Sequence, residues 1–418
     1  MAVEIREIQP TKRNLLKFVH FPIDVIYRDS EYYVPPLVTD EVNTLRPDKN
    51  PAFDFCEAAY FLAYRDGKIV GRIAGIINRV CNERSGKKEA RFSYIDFIDD
   101  AEVVDALIDA VTMWAKSKGM EHLTGPLSFT DMDPEGMLIE GFDRIGTTGA
   151  VYSHAYYPKH MDRLTGPLSF TDMDPEGMLI EGFDRMGTTG AVYSHPYYPK
   201  HMDRLGFVKD VDWLEFLITI PTEVPEKMAR LSKLMSERLN LTTIKYTDRK
   251  KLVNDYGDAI FKLINVAYDE LFGYSPLTDK QIKHYIKMYL PFLPLDDLSM
   301  VIEKDTRELI AVGITIPSMS KALIKNRGRL FPFGWKYLLD AFKHNDLVDL
   351  MLIAVKPEYQ NKGVNALIFN DLIEVFNRHG YTHAESNHEL ELNTKVLKQW
   401  EYFETEQHKR RRAYTKEI

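Results

Sequence analysis

The stretch from Met351 to Leu367, MLIAVKPEYQNKGVNAL, brings together the features that anion binding requires. A buried apolar strand ends at Val355, and the turn after it opens a helix with apolar positions at 364, 367, 368, 372, 375 and 376. The first N–H groups of a helix have no partner within it, and they lie at the positive end of its dipole. Gly363 permits close backbone approach and Lys362 adds a positive charge, so Gln360-Asn361-Lys362-Gly363-Val364-Asn365 suits a pyrophosphate. The same features also serve a plain strand-to-helix connection.

Two other groupings imitate sites but fail on spacing. Asp131-Met132-Asp133-Pro134-Glu135-Gly136 starts like a calcium loop, yet its twelfth position is Phe142, where a bidentate Glu is required. His154 and His160 recur as His195 and His201, but no Cys or further His completes a ligand spacing. The segment YSHPYYPKH reads instead as a tyrosine-rich turn in a packed loop, and no metal is expected.

These residues belong to a tandem duplication. Residues 123–163 recur at 164–204, a segment of 41 residues with two changes, Ile145 to Met186 and Ala155 to Pro196. Solenoid units diverge and number at least three, so this is one segment copied once. The first copy continues the upstream chain and the second runs into the alternating strand 212–218. About one copy's worth of chain is therefore an insertion, cheapest as a surface excursion because closure entropy grows slowly with loop length.

The elements around these motifs come from an ordinary globular composition. The chain has 418 residues, 44% hydrophobic and 28% charged, with a formal net charge of -8, enough for two or three domains with their own cores. Aromatics at 12% argue against disorder, and the acidic balance gives no electrostatic reason for nucleic-acid binding. Cys56 and Cys81 are too few for a disulfide framework and fit a reducing cytosol. No apolar run is long enough to span a membrane, and the start MAVEIREIQP lacks a signal-peptide core, so a cytoplasmic location is expected.

Periodicity predicts an α/β (α+β) chain. In the first half a strand at 3–8, a helix at 12–27, a hairpin from 58–64 and 69–77, a strand at 92–98, a helix at 101–118 and strands near 121–126 and 207–219 follow one another. The second half repeats the order, with strand 241–246, helices 255–271 and 279–289, and a hairpin from 298–303 and 309–317. Beyond an insertion come strand 347–355, helix 361–379, a strand near 382–388, helix 394–403 and a closing strand 408–416. Two copies of one architecture, residues 1–223 and 224–418, joined by a charged helix near 225–239, are the simplest organisation, each a central mixed sheet flanked by helices.

In that order of elements, the loop after strand 347–355 resembles the pyrophosphate loop of the GNAT superfamily of acyl-CoA-dependent N-acyltransferases, Q/R-x-x-G-x-G/A. Gln360 and Gly363 match it after Val355, while Asn365 stands where Gly or Ala is usual. Residues 240–418 carry this resemblance, and the first half resembles a second, degenerate module without the loop motif. A narrower resemblance spans almost the whole chain, through FVHFPIDVIYRDSEYYVPPLVTDEVNTL at 18–45, GRIAGIIN at 71–78, GRLFPFGW at 328–335 and KGVNAL at 362–367. These look like a bacterial family of two-module N-acyltransferase-like proteins related to bacterial ceramide synthases, which N-acylate long-chain sphingoid bases.

The resemblance implies acetyl-CoA or a longer acyl-CoA as co-substrate and a small or lipid amine as acceptor. It implies a backbone oxyanion donor near Ala354 or Val355, cofactor contacts from Gln360, Asn361, Lys362, Gly363, Val364 and Asn365, and candidate catalytic residues at Glu385, Glu389, Glu391 and Asn393. The tyrosine often used as the acid has no clear counterpart, since seven residues beyond Asn393 stands Trp400, with Tyr402 two further on. The alternative is the same architecture binding CoA or a lipid without turnover. Between 321 and 342, Lys321, Lys325, Arg327, Arg329 and Lys336 interleave with Leu330, Phe331, Phe333, Trp335, Leu338 and Leu339. That mixture suits an acyl-chain entrance, contact with the inner membrane face, or a helix packed over the sheet with solvated cations.

Overall fold

The computed structural model describes residues 2–126, 137–140, 178–185, 193–268, 276–290, 293–391 and 397–418. The first half contributes β1 (Glu4–Ile8), α1 (Lys12–Phe21), α2 (Val38–Thr44), β2 (Cys56–Arg65), β3 (Lys68–Asn78), α3 (Arg79–Ser85), β4 (Glu89–Phe97), α4 (Ala101–Ser117) and β5 (His122–Gly125). It continues through β6 (Met137–Glu140), β7 (Met178–Glu181), α5 (Tyr197–Arg204) and the long β8 (Val208–Thr219). The second half holds α6 (Glu226–Arg238), β9 (Leu241–Ile244), α7 (Arg249–Tyr268), α8 (Asp279–Tyr289), β10 (Leu298–Glu303), β11 (Leu309–Pro317), α9 (Ser320–Asn326) and α10 (Gly334–Ala341). It ends with β12 (Leu347–Val355), α11 (Asn365–His379), β13 (His383–Glu385), β14 (Glu389–Leu390) and β15 (Thr405–Glu417).

These strands form one sheet in the order β1-β2-β3-β4-β5-β15-β8-β13-β12-β11-β10-β9. The two halves therefore exchange their closing strands. β15, from the end of the second half, lies against β5 of the first, and β8 of the first half lies against β13 of the second. β8 and β15 pair with each other along most of their lengths, which seals the exchange at the centre of the sheet.

Helices cover both faces. In the first half α4 buries Val104, Leu107 and Val111 on one side, and α1 sets Leu15, Phe18 and Val19 on the other. In the second half α7 supplies Ile260, Phe261 and Ile264, and the opposite face receives Ile368, Leu372 and Phe376 of α11. Among the described residues, no helix is long and apolar enough to cross a membrane.

The duplicated segment is partly visible. The two copies of Met-Leu-Ile-Glu, β6 and β7, pair in parallel, Met137 opposite Met178 and Glu140 opposite Glu181, with β6 lying against β15. In the second copy Met178 and Leu179 alternate into opposite cores, as a strand's period of two requires. Tyr193 and Tyr198 are buried, so YSHPYYPKH of this copy is packed as expected, but only its first residues form a turn and Tyr197–His201 open helix α5. His195 stacks on Tyr197 at 5.3 Å and His201 meets Asp99 at 3.0 Å. The calcium-like residues 131–136, Phe142, His154 and His160 lie outside the described residues.

Candidate active site

Each half contains a parallel strand pair that opens partway along, and the two openings differ. In the first half β4 pairs with β5 only at residues 89–91 and 122–124. Beyond that point the edge of β4 is occupied by tyrosines of the second copy. The Tyr198 hydroxyl accepts from Phe97 N–H at 3.1 Å, and the Tyr197 hydroxyl donates to Phe97 O at 2.7 Å. Behind them the Tyr27 hydroxyl donates to Asp96 at 2.9 Å, and the Arg72 guanidinium donates to the same buried carboxylate at 2.7 Å. The helix after β4 starts with acid: Asp100 caps α4, Glu102 sits in its first turn, and both engage Arg65. Carboxylates there repel a phosphate, so this half has no anion cradle at its helix start.

In the second half β12 and β13 pair over 347–349 and 383–385, then diverge. The pairing of β12 with β11 shifts register so that Met351 has no partner, a bulge beside the divergence. Polar side chains reach into the gap: Asn387 Nδ2 donates to Leu350 O at 3.0 Å and Met351 O at 2.8 Å, and the Tyr268 hydroxyl donates to Ile353 O at 2.7 Å. Ala354 and Val355 complete the strand, both buried.

The turn after Val355 is tightly organised. Gln360 Nε2 folds back onto Val355 O at 3.0 Å, and Asn361 and Gly363 take left-handed φ values of 59° and 75°. A Cβ on Gly363 would press on the Leu231 side chain of α6 at 3.2 Å, and its φ is one that L residues rarely adopt, so the backbone conformation favours glycine here. Gln360 and Lys362 N–H turn back to Pro357 and Tyr359 carbonyls, and Ala366 and Leu367 N–H to those of Gly363 and Val364, which leaves the N–H groups of Gly363, Val364 and Asn365 for another acceptor. The first turn of α11 has no acidic residue, in contrast to α4. Asn365, unusual in the motif, has a use: its Nδ2 donates to Gln399 Oε1 at 2.8 Å and ties the helix start to the last segment of the chain.

The candidate acids are not gathered at one point. Glu389 is fully buried and its carboxylate accepts Trp400 Nε1–H at 2.8 and 2.9 Å. Burial pushes its pKa up to about 8 against the lowering effect of that bond. Trp400 follows Gln399 and packs against Phe369 of α11 at 6.0 Å, so Glu389 is linked through two adjacent residues to the start of α11. Glu385 lies deeper, engaged by Lys409 and by His408 Nε2 at 2.9 Å. Glu391 is half-buried on the other face, 2.6 Å from Lys209. Asn393 lies outside the described residues, and Tyr402 is exposed.

Several residues without a role in the sequence reading surround these acids. The run HKRRR at 408–412 looks like a solvated basic strand, yet alternation buries half of it. Lys409 and Arg411 point to Glu215 on one face, and Arg410 and Arg412 reach Asp212 on the other. His408 is the extra residue where β15 slips register against β8. Burial opposes ionisation of Glu215, but Arg411, Lys409 and His388 overcome it and hold the carboxyl well below its usual range. Burial, with Glu215 and Asp349 nearby, pushes Glu385 well above its usual range despite Lys409. The His388 imidazole is lowered to about 4 by burial, and is therefore neutral at pH 7. Glu215, Glu385 and His408 converge closely enough to hold a cation, and the Lys409 ammonium already bridges the two carboxylates.

No protein-family model matches the chain. It is 29% identical over 413 residues to Protein YghO of Escherichia coli (strain K12), covering 97% of this chain and 94% of that protein. It is 22% identical over 354 residues to the bacterial ceramide synthase of Caulobacter vibrioides (strain NA1000 / CB15N), covering 84% and 80% respectively. Among solved structures, a tandem GNAT protein from the clavulanic acid biosynthesis pathway matches with a TM-score of 0.52 at 11% identity, over 99% of this chain and 98% of that one. The chain is homologous to YghO and to the bacterial ceramide synthase, and its fold is that of a tandem GNAT protein.

Proposed function

We propose that the chain is an acyl-CoA-dependent N-acyltransferase in which module 224–418 binds acetyl-CoA or a longer acyl-CoA and module 1–223 is a companion that has lost this capacity. The observation that carries the reading is the pairing of an opened β12 edge with an acid-free helix start and a Gly363 cradle, set against a first half whose edge and helix start are blocked. Asn361, Gly363, Val364 and Asn365 hold the pyrophosphate through backbone N–H groups, with Gln360 shaping the turn through Val355 O and Lys362 adding charge. The opened edge of β12 accommodates the thioester arm beyond the side chains of Asn387 and Tyr268, and a backbone N–H of Ala354 or Val355 meets the developing oxyanion.

Glu389 takes the proton from the attacking primary amine as the C–N bond forms and the C–S bond breaks, releasing CoA thiolate. A buried carboxyl titrating near 8 is matched to that task. Glu385 supports the site through Lys409, Glu391 and Asn393 are further candidates for contact with the acceptor amine, and no metal takes part. The ceramide synthase kinship favours a lipid amine over a small one. Peripheral contact with the inner membrane face of a cytoplasmic protein, through residues 321–342, fits the same reading because lipid amines are met at a bilayer.

The test is thiol release from acetyl-CoA and palmitoyl-CoA, followed with a thiol-reactive dye, in the presence of long-chain and short primary amines. Amine-dependent release is expected, faster with palmitoyl-CoA and a long-chain amine. Binding of CoA thioesters without release for any amine would favour an inert binding protein.

A further inference from the structure

The insertion between β11 and β12 presents an apolar surface that none of the described residues covers. The inner face of α10 carries Leu338, Ala341 and Phe342 onto Val34, Met319 and Leu323. Its outer face and the loop before it leave Phe331 80%, Phe333 61%, Trp335 44% and Leu339 52% exposed, with Trp335 and Leu339 one helical turn apart. Cations surround these tips. Residues 321–343 hold six Lys or Arg and a single acid, Asp340, in a chain of net charge -8. Arg327, Arg329 and Lys321 have carboxylate partners, whereas among the described residues no carboxylate pairs with Lys325, Lys336 or Lys343. Lys336 Nζ sits 5.1 Å from the Phe333 ring centre and 5.6 Å from that of Trp335.

The surface is held rigidly. Arg327 donates to Ile23 O at 2.8 Å, and Val38 N–H donates to Gly328 O at 3.0 Å, fixing the loop to the first half. A Cβ at Gly334 would lie 1.8 Å from Arg329 O, so the turn closes only with glycine there.

We infer that this surface docks the protein on an anionic lipid bilayer, with Phe331, Phe333, Trp335 and Leu339 entering the boundary between headgroups and acyl chains and the three unpaired lysines meeting lipid phosphates. Aromatic tips ringed by lysine are the chemistry of a membrane interface, whereas the cores of protein interfaces are depleted in lysine. A second copy is a poor occupant, since a two-fold contact through this patch would oppose like charges. The inference concerns where the protein sits and stands whether or not amine acylation is its reaction.

The test is co-sedimentation of the full chain with vesicles of mixed phosphatidylglycerol and phosphatidylcholine, and with phosphatidylcholine alone. Binding to the anionic vesicles is expected, weakened several-fold by about 0.5 M salt. Phe333→Glu with Trp335→Glu should lower it about tenfold or more, and Lys325→Gln, Lys336→Gln and Lys343→Gln together should lower it by a similar factor. Vesicle addition should blue-shift tryptophan fluorescence in the wild type and not in Trp335→Phe, because Trp213 and Trp400 are buried and Trp114 packs from α4 against the first-half core, away from the patch. All these positions are exposed, so unchanged thermal unfolding of the variants keeps the comparison clean. Absence of binding, equal binding to neutral vesicles, or a dimer in light scattering that the patch variants dissolve would each overturn the inference.

Discussion

Replacing Lys409 by Met should lower stability by about 3–5 kcal/mol, the cost of leaving buried carboxylates without their cation. Lys409 is fully buried on β15 and bridges Glu215 of β8 and Glu385 of β13, three strands that come from both halves of the chain. Without the ammonium, Glu385 faces Glu215 and Asp349 with only a neutral histidine beside it. Adding Glu385→Gln should recover much of the loss, because the amide removes one buried acid while Arg411 still serves Glu215. Denaturant midpoints at constant slope measure both effects. A loss below about 1 kcal/mol would mean that the backbone pairing and apolar packing of the exchanged strands hold them without help from the buried ion cluster.

Changing Glu389 to Gln should lower kcat for acyl transfer about 10²- to 10³-fold with little change in CoA affinity. The amide oxygen still accepts the Trp400 indole N–H, so the local structure should persist. The pH profile supplies the sign. Only the carboxylate accepts a proton, and with a pKa raised to about 8 its population climbs tenfold per pH unit below 8 and levels off above it. Wild-type activity should therefore rise with pH and break near 8, and Glu389→Gln should lack that break. An unaltered profile in the variant would move the base elsewhere.

Much of the architecture was legible because it rests on local pattern. The hairpin 58–64 with 69–77 and its counterpart 298–303 with 309–317 lie around turn signals, and they appear as β2-β3, with slightly longer strands, and as β10-β11, at the expected bounds. The turn at Gln360–Asn365 was legible for the same reason, since strand end, glycine and helix start are adjacent in sequence. The exchange of β8 and β15 was not, because strand periodicity gives the face of each residue and says nothing of a partner about 200 residues away.

The same limit explains the acids. Glu385, Glu389 and Glu391 share the parity of one strand face, but the chain breaks between β13 and β14 and turns after Leu390, which sends the first to Lys409, the second to Trp400 and the third to Lys209. HKRRR carries no sign of burial until its partners Glu215 and Asp212 are placed beside it. Trp400, reached only as the residue standing where a tyrosine acid would be sought, proves to hold Glu389.

The most direct test of acyl-CoA binding in the second module is calorimetric titration with acetyl-CoA and palmitoyl-CoA, for the wild type and for Gly363→Val. Valine meets Leu231 and must adopt a φ near 75°, which distorts the cradle at the start of α11 while leaving the core of the module in place. Saturable binding to the wild type, weakened about tenfold or more in a Gly363→Val protein that unfolds cooperatively, is the predicted result. Folded wild-type protein that binds neither thioester, or a variant that binds both as well as the wild type, would contradict it.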